Sequence, residues 1–345
     1  MKFFPVLALL LSAFFAEPAA AVWVSGQNYV PLTDWARGGG MNIVIQRGGQ
    51  ITVTNRIARL TCQLNSAQAR INGVNVRLSF PLAVMNGVPL VAQLDLDKTI
   101  RPLMFPARYA GPGRITTICL DPGHGGKDTG NRLGGFFSHN EKTYTLALAL
   151  ELRDQLKKAG FNVVLTRSKD VFVDLPMRPA IANRAGADLF VSLHFNAIGP
   201  GKNEVKGPET YSITPVGAAS SNAQGEGSGS AATPANRYES KSLLLAYQME
   251  KSLVQNLNAE DRGVRRARFA VLRDAAMPAI LVEGGYMTHP VEGKKIFDSG
   301  YRKQMAAAIV KGILNYQRLG APAAVQPTVP KANRVGTNKT SNLKR

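Results

Sequence analysis

A chain of 345 residues that is 45% hydrophobic has enough apolar surface for a sizeable core, so global disorder is excluded. Forty-two Lys and Arg against 23 Asp and Glu give a formal net charge of +19, a balance that favours anionic partners such as nucleic acid, anionic lipid or an acidic polymer. No RNP-like aromatic motif and no helix-turn-helix pattern accompanies that charge, so no nucleic-acid partner is expected.

The first element is a leader. Met1-Lys2 is a short positive region, residues 3–15 are almost wholly apolar, and Ala19-Ala20-Ala21 offers a small-residue cleavage site. These three parts in that order make residues 1–21 a secretory signal peptide, too short for a comfortable membrane span. No later stretch is long and apolar enough to cross a bilayer. The mature protein is therefore expected to be exported, either periplasmic or secreted, without a transmembrane segment. From 22 to 106 the pattern is that of a small all-β domain. Residues 41–46, 51–54 and 57–64 are short β-branched runs, and Gly48-Gly49, Asn72-Gly73 and Asn86-Gly87 are turn dipeptides that close hairpins. Residues 107–113, Ala-Arg-Tyr-Ala-Gly-Pro-Gly, have the composition of a linker.

Beyond the linker, strands alternate with helices. Strands are expected at 115–120, 162–166, 188–193, 209–213, 269–272 and 279–282. Helices are expected at 140–159, 176–185, 240–257 and 302–317. In the first helix Tyr144, Leu148, Leu152 and Leu156 share a face, and Gly160 marks its end. This alternation predicts an α/β fold over residues 114–318, with a largely parallel twisted sheet flanked by helices. Residues 216–236 are rich in Gly, Ser and Ala with almost no apolar anchor, and a flexible insertion is expected there. Residues 319–345, rich in Pro, Lys, Asn and Thr, are expected to form a disordered basic tail that clings to polyanions. The two cysteines, Cys62 and Cys119, fall in different regions and are expected to stay unpaired, although export permits a disulfide.

Four reactive residues fall at corresponding places in this plan. His124, in Asp121-Pro122-Gly123-His124-Gly125-Gly126, and His194 stand at the C-terminal ends of expected strands. Those ends share one edge of a parallel sheet, where ligands bind. Glu283 closes a third apolar run and is followed by two glycines; a carboxylate there is costly unless it is used or paired. Glu141 opens the helix after the His124 loop. Two His and two Glu on one edge suit a catalytic zinc ion with three protein ligands and a separate carboxylate that moves protons. Each residue also has a plainer role open to it. Glu141 fits a capping box with Ser138, His194 fits a hydrogen-bonded core position, and Glu283 fits an ion pair with Arg178 or Arg273. His139 and His289 sit in polar turn contexts that suit surface residues, and His139 rivals Glu141 at the helix start.

The blocks Leu120-Asp121-Pro122-Gly123-His124-Gly125-Gly126, Asn140-Glu141-Lys142, Val163-Val164-Leu165-Thr166-Arg167, Ala187-Asp188-Leu189-Phe190-Val191-Ser192-Leu193-His194-Phe195-Asn196 and Ile280-Leu281-Val282-Glu283-Gly284-Gly285-Tyr286 occur in one order. Together they resemble the zinc-dependent N-acetylmuramoyl-L-alanine amidase family, the amidase type 3 catalytic domain. The resemblance implies that His124, Glu141 and His194 bind one Zn2+ and that Glu283 is the catalytic acid/base. It implies hydrolysis of the amide between N-acetylmuramic acid and L-alanine of peptidoglycan stem peptides. Gly207-x-Glu209-Thr210-Tyr211 resembles a further family block, which makes Glu209 a candidate substrate residue; Arg178 is the other. Peptidoglycan is the implied partner, with anionic wall polymers as further partners of the basic surface and tail. The segment from Gly285 to His289 and the 216–236 insertion depart from the family pattern. Tyr29-Val30-Pro31-Leu32, Ile71-Asn72-Gly73 and Arg101-Pro102-Leu103 resemble the copper amine oxidase N-terminal-like domain. A wall-binding or spacer role is expected of it, without copper chemistry, because the region has no histidine.

Overall fold

The apolar run before the first histidine becomes the strand Thr117–Pro122, buried along most of its length. It is parallel to Asn162–Leu165 on one side and to Leu189–Asn196 on the other, and Leu189–Asn196 is parallel to Ala279–Tyr286. Strands covered on both faces carry continuous apolar runs, and Ile118, Leu120, Leu189, Val191, Ile280 and Val282 are all buried. Glu209–Ser212 then pairs antiparallel with Ala279–Tyr286, and Val264–Arg266 lies parallel beside it. This is a computed structural model, and it describes residues 21–110, 113–134, 139–199, 204–221 and 231–320. The leader up to residue 20, the centre of the insertion at 222–230 and the tail beyond residue 320 lie outside the described residues.

Three long helices, Glu141–Lys158, Glu239–Leu257 and Ser299–Leu319, pack on one another and on one face of the sheet. Leu148, Leu152 and Leu156 of the first are buried, as their shared face requires. The other face has a smaller cover. Cys119, Ala182, Phe190, Tyr211, Val271 and Leu281 form a separate cluster beneath Met177–Arg184 and Ala270–Arg273. No described helix is long and apolar enough to cross a membrane.

The β-rich region forms five antiparallel strands in succession, Asn42–Ile45, Gln50–Thr54, Arg59–Gln63, Gln68–Ile71 and Val74–Arg77. At the Asn72-Gly73 turn both residues have positive φ (47° and 87°), the geometry that suits the right-handed twist of a two-residue hairpin. Two helical stretches, Leu32–Gly38 and the turns between Gln93 and Met104, accompany the strands. This array joins the parallel sheet directly. Val76 pairs with Val264, so eleven strands run in one sheet. Gly263 makes the approach feasible, since a Cβ there would lie 2.7 Å from the Asn75 carbonyl oxygen. Asn75 N and Nδ2 donate to Asp261 Oδ2 and O, each at 2.8 Å, and Tyr247 Oη donates to the Ile71 carbonyl at 2.9 Å.

Three local expectations change. Residues 269–272 form no strand; the helix Ala270–Arg273 stands there, and the strand lies upstream at Val264–Arg266. A four-residue apolar run suits either state. Here the sheet ends where Ala267 N donates to Ser212 O, and the chain has to turn. The 216–236 segment has apolar anchors after all: Ala218 and Ala235 are buried, and Thr233 and Asn236 form a capping box. Both cysteines are free and buried, and burial pushes each thiol up to about 12. His139 is also no surface residue; its ring stacks on Phe297 at 3.9 Å and its Nδ1 hydrogen-bonds Tyr144 Oη.

Candidate metal centre and its carboxylates

The loop after Thr117–Pro122 turns on a strained residue. His124 has φ +62°, in the left-handed region that only a few per cent of non-glycine residues adopt. Two buried arginines hold the backbone around it. Arg178 Nη2 donates to the His124 carbonyl at 2.9 Å and Nη1 to the Pro122 carbonyl at 3.0 Å. Arg167 donates to the carbonyls of Pro122 and Gly123, at 3.0 and 2.8 Å. Asp128 Oδ2 lies 2.9 Å from His124 Nδ1, which fixes the ring and leaves Nε2 pointing at Glu141 Oε2, 3.1 Å away.

Glu141 is the first residue of its helix and is 1% exposed. Its Oε2 accepts from Asn131 N and Nδ2, at 3.0 and 2.9 Å, and its Oε1 accepts from Phe195 N at 3.1 Å. His194 Nδ1 lies 3.0 Å from Oε1, and the two imidazole rings are 4.9 Å apart, nearly perpendicular. Burial alone would raise the Glu141 carboxyl; the hydrogen bonds and charges of His124 and His194 outweigh it and hold the group well below the ordinary carboxylate range. For His124, burial favours the neutral ring, but Glu141 and Asp128 outweigh it and raise its pKa.

Strand register delivers the remaining carboxylates. His194 stands opposite Glu283, and Glu283 opposite Glu209. Glu283, with His124, Glu141 and His194, lines a cleft of about 350 Å³ that Asn131 and Leu175 also border. Its Oε2 is buried with no hydrogen-bond partner among the described residues. Burial first, then the charges of Glu141 and Glu209, push the Glu283 carboxyl well above its ordinary range. Neither suggested arginine neutralises it: Arg178 pairs with Asp121 at 2.8 Å, and Arg273 is exposed.

Two of the residues picked out from the sequence stand apart from the cleft. Arg178 is 1% exposed, and its guanidinium is occupied by Asp121 and by backbone carbonyls behind the His124 loop. It holds that loop and does not line the cleft. Replacing it by Met leaves Asp121 buried without its partner and is expected to cost about 3–5 kcal/mol of stability, read as a lower urea midpoint. A raised KM at unchanged midpoint would instead return Arg178 to the cleft. Glu209 is 2% exposed; it accepts from Asn196 Nδ2 at 2.8 Å and Tyr211 Oη at 3.0 Å and pairs with Arg265 at 2.9 Å. Its charge faces Glu283 from behind. Of the residues that hold the His124 and Glu141 side chains, Asp128 closes the glycine-rich block that carries the family resemblance, although no role followed from that, and Asn131 has no distinguishing signal in the sequence.

The donor set fits a zinc ion. His124, Glu141 and His194 each offer one ligand atom, all within 4.8 Å of one another. Two glycines leave room for these side chains. A Cβ on Gly123 would lie 2.2 Å from the His194 ring, and one on Gly130 would lie 2.7 Å from Glu141 Oε2. Gly123→Ala is therefore expected to displace His194 and to lower kcat/KM by about 10²-fold, the loss that roughly 1 Å of misplacement causes. Unchanged turnover would show that His194 need not stand where it does.

Two imidazoles and a carboxylate that could hold a metal ion, with a further, unpaired carboxylate alongside, suit a metal-dependent hydrolase class. Comparison with known proteins narrows it. Residues 118–315 match the family described as N-acetylmuramoyl-L-alanine amidase. The chain is 34% identical over 260 residues to the N-acetylmuramoyl-L-alanine amidase AmiC of Neisseria meningitidis, covering 66% of this chain and 62% of that protein. It is 31% identical over 249 residues to amidase AmiA of Escherichia coli, covering 66% and 84%. It is 35% identical over 226 residues to YqiI of Bacillus subtilis, covering 66% and 95%. The solved amidase AmiC2 of Nostoc punctiforme aligns with a TM-score of 0.49 at 34% identity, over 60% of this chain and 99% of that one. The chain belongs to the N-acetylmuramoyl-L-alanine amidase family, whose substrate is peptidoglycan.

Proposed function

We infer that His124, Glu141 and His194 hold one zinc ion in this amidase and that Glu283 is its acid/base. The observation that carries the assignment is the unpartnered Glu283 Oε2 in the cleft that the three zinc-type donors line. The reaction is hydrolysis of the amide between the lactyl group of N-acetylmuramic acid and L-alanine. A bound zinc ion supplies Lewis acidity at the scissile carbonyl. The chain's own groups do the rest. Glu283 Oε2 takes a proton from the attacking water and returns it to the leaving L-alanine nitrogen; a carboxyl raised above its ordinary range is suited to holding that proton between the two steps. Asp128 and Asn131 keep the His124 and Glu141 donors oriented.

The leader-like residues 1–21 support export to the periplasm or the cell exterior, where the substrate lies. The net charge of +19 supports retention on anionic wall polymers through the basic surface and the 319–345 tail, in a salt-sensitive manner. Residues 22–106 serve as a wall-binding or spacer module beside the catalytic residues 114–318, with 107–113 joining them. The test is mass spectrometry of soluble products from purified peptidoglycan, with and without a chelator. Intact stem peptides with a free L-alanine amine, formed only when zinc is present, are expected. Shorter peptides would mean a peptidase, and products formed in chelator would remove the metal from the assignment.

A further inference from the structure

A second concave site lies outside the cleft and shares none of its lining. The helix Leu32–Gly38 and the segment that leads through Arg101 to Tyr109 enclose a groove of about 970 Å³. Its walls carry three aromatic rings, Trp35, Phe105 and Tyr109, and three arginines, Arg37, Arg101 and Arg108. Asp34 is the one acidic side chain that lines it. All three rings are half-buried, so each is fixed against the protein and open on its other side. Arg101 is paired with Asp97. Arg37 and Arg108 are exposed, and their guanidinium groups have no hydrogen bond or ion pair to another described residue; Arg108 lies over the Phe105 ring at 5.7 Å.

Fixed aromatic faces suit the C–H faces of pyranose rings, and free guanidinium groups suit carboxylates, which they bind in a bidentate manner. A ligand with both features is a glycan that bears a carboxylate at regular intervals. The amidase reaction makes such a ligand. Water adds across the amide, the nitrogen leaves on the stem peptide with a proton, and the acyl carbon stays on the sugar as the carboxylate of the lactyl group. Each cut therefore turns one neutral acyl link on the glycan into an anion.

We propose that the groove formed by Trp35, Arg37, Phe105, Arg108 and Tyr109 binds glycan strands already stripped of stem peptides, the polymeric product of this chain's own reaction. The proposal rests on the amidase activity for the identity of the ligand, and on the groove for its chemistry. Product strands held there keep the catalytic cleft on wall that is being processed, by raising its local concentration near uncut stems.

The experiment measures binding of the full mature chain to denuded glycan strands, prepared beforehand with a different amidase so that binding is read independently of this chain's activity. Neutral chitin oligosaccharides and intact peptidoglycan are the comparison ligands. Arg37→Gln/Arg108→Gln is expected to weaken binding to denuded strands about tenfold or more, given two lost charge-assisted contacts. Turnover of a small soluble muropeptide should be unchanged, and Trp35→Phe should bind better than Trp35→Ala. Arg47→Gln/Arg56→Gln, which removes the same charge from exposed positions outside the groove, should bind as the parent does. An equal loss in both double variants would reduce the effect to net charge and overturn the site. Parent affinity for intact wall at or above that for denuded strands would overturn the ligand. If the muropeptide is not cut at all while the groove variants still lose binding, the amidase reading fails and the groove stands.

Discussion

Glu283→Gln is expected to lower kcat by about 10³-fold, within the roughly 10²–10⁴ that a positioned acid/base contributes, while zinc stays bound at one per chain. Glutamine has the shape of the acid but cannot accept the proton from water. His124, Glu141 and His194 are unaltered by the change, so a metal assay separates loss of chemistry from loss of the centre. The pH profile gives a second reading. The base works only when ionised, so wild-type activity falls as pH drops through the Glu283 pKa. Burial and the charges of Glu141 and Glu209 push the Glu283 carboxyl above its ordinary range in the metal-free chain, and a bound dication would oppose that shift, so the limb of the zinc-loaded enzyme should lie below the pH at which the metal-free carboxyl titrates. Glu283→Gln should lack the limb. Residual turnover above a tenth of wild type would take Glu283 out of the mechanism.

His194→Ala is expected to remove both metal and activity. If the ~10–16 kcal/mol of a four-ligand zinc site is shared evenly, one ligand carries roughly 2.5–4 kcal/mol, or about 10²–10³-fold in affinity. Substoichiometric zinc by atomic absorption after dialysis, with activity partly restored by excess zinc, is the expected result. His194 is the better choice than Glu141 for this test. Glu141 also accepts from Asn131 and Phe195 N, so its loss disturbs backbone as well as metal. Full zinc occupancy in His194→Ala would mean that the ion is held elsewhere.

Much of this site was legible along the chain because parallel strands impose a simple rule. Each strand is a continuous apolar run, and the residues at or just past its C-terminal part meet at the same edge. His124 and His194 could therefore be grouped before any contact was known, and Glu283 could be added to them. The choice between His139 and Glu141 was of another kind. Two residues separate them, and the local sequence suits either. It is decided by Phe297, which stacks on His139 and is more than 150 positions away, and by Asn131 and Phe195, whose N–H groups donate to the Glu141 carboxylate. Arg178 shows the same limit. Its charge suggests a substrate contact, and only the buried Asp121 carboxylate and the His124 carbonyl beneath it give it a positioning role.

What the sequence by itself determined is periodicity and order: which runs are buried on both faces, where helices start and stop, and which reactive groups end a strand. Those are properties of residues within about one turn or one strand of each other. Tertiary structure alone decided the partnerships between distant elements. It placed residues 269–272 in a helix at the end of the sheet. It joined the β-rich region to the parallel strands through Val76 and Val264 across Gly263, and it enclosed the arginine-lined groove between two segments more than 50 residues apart. Burial and pairing depend on what packs from elsewhere in the chain, and that is why they become visible only in three dimensions.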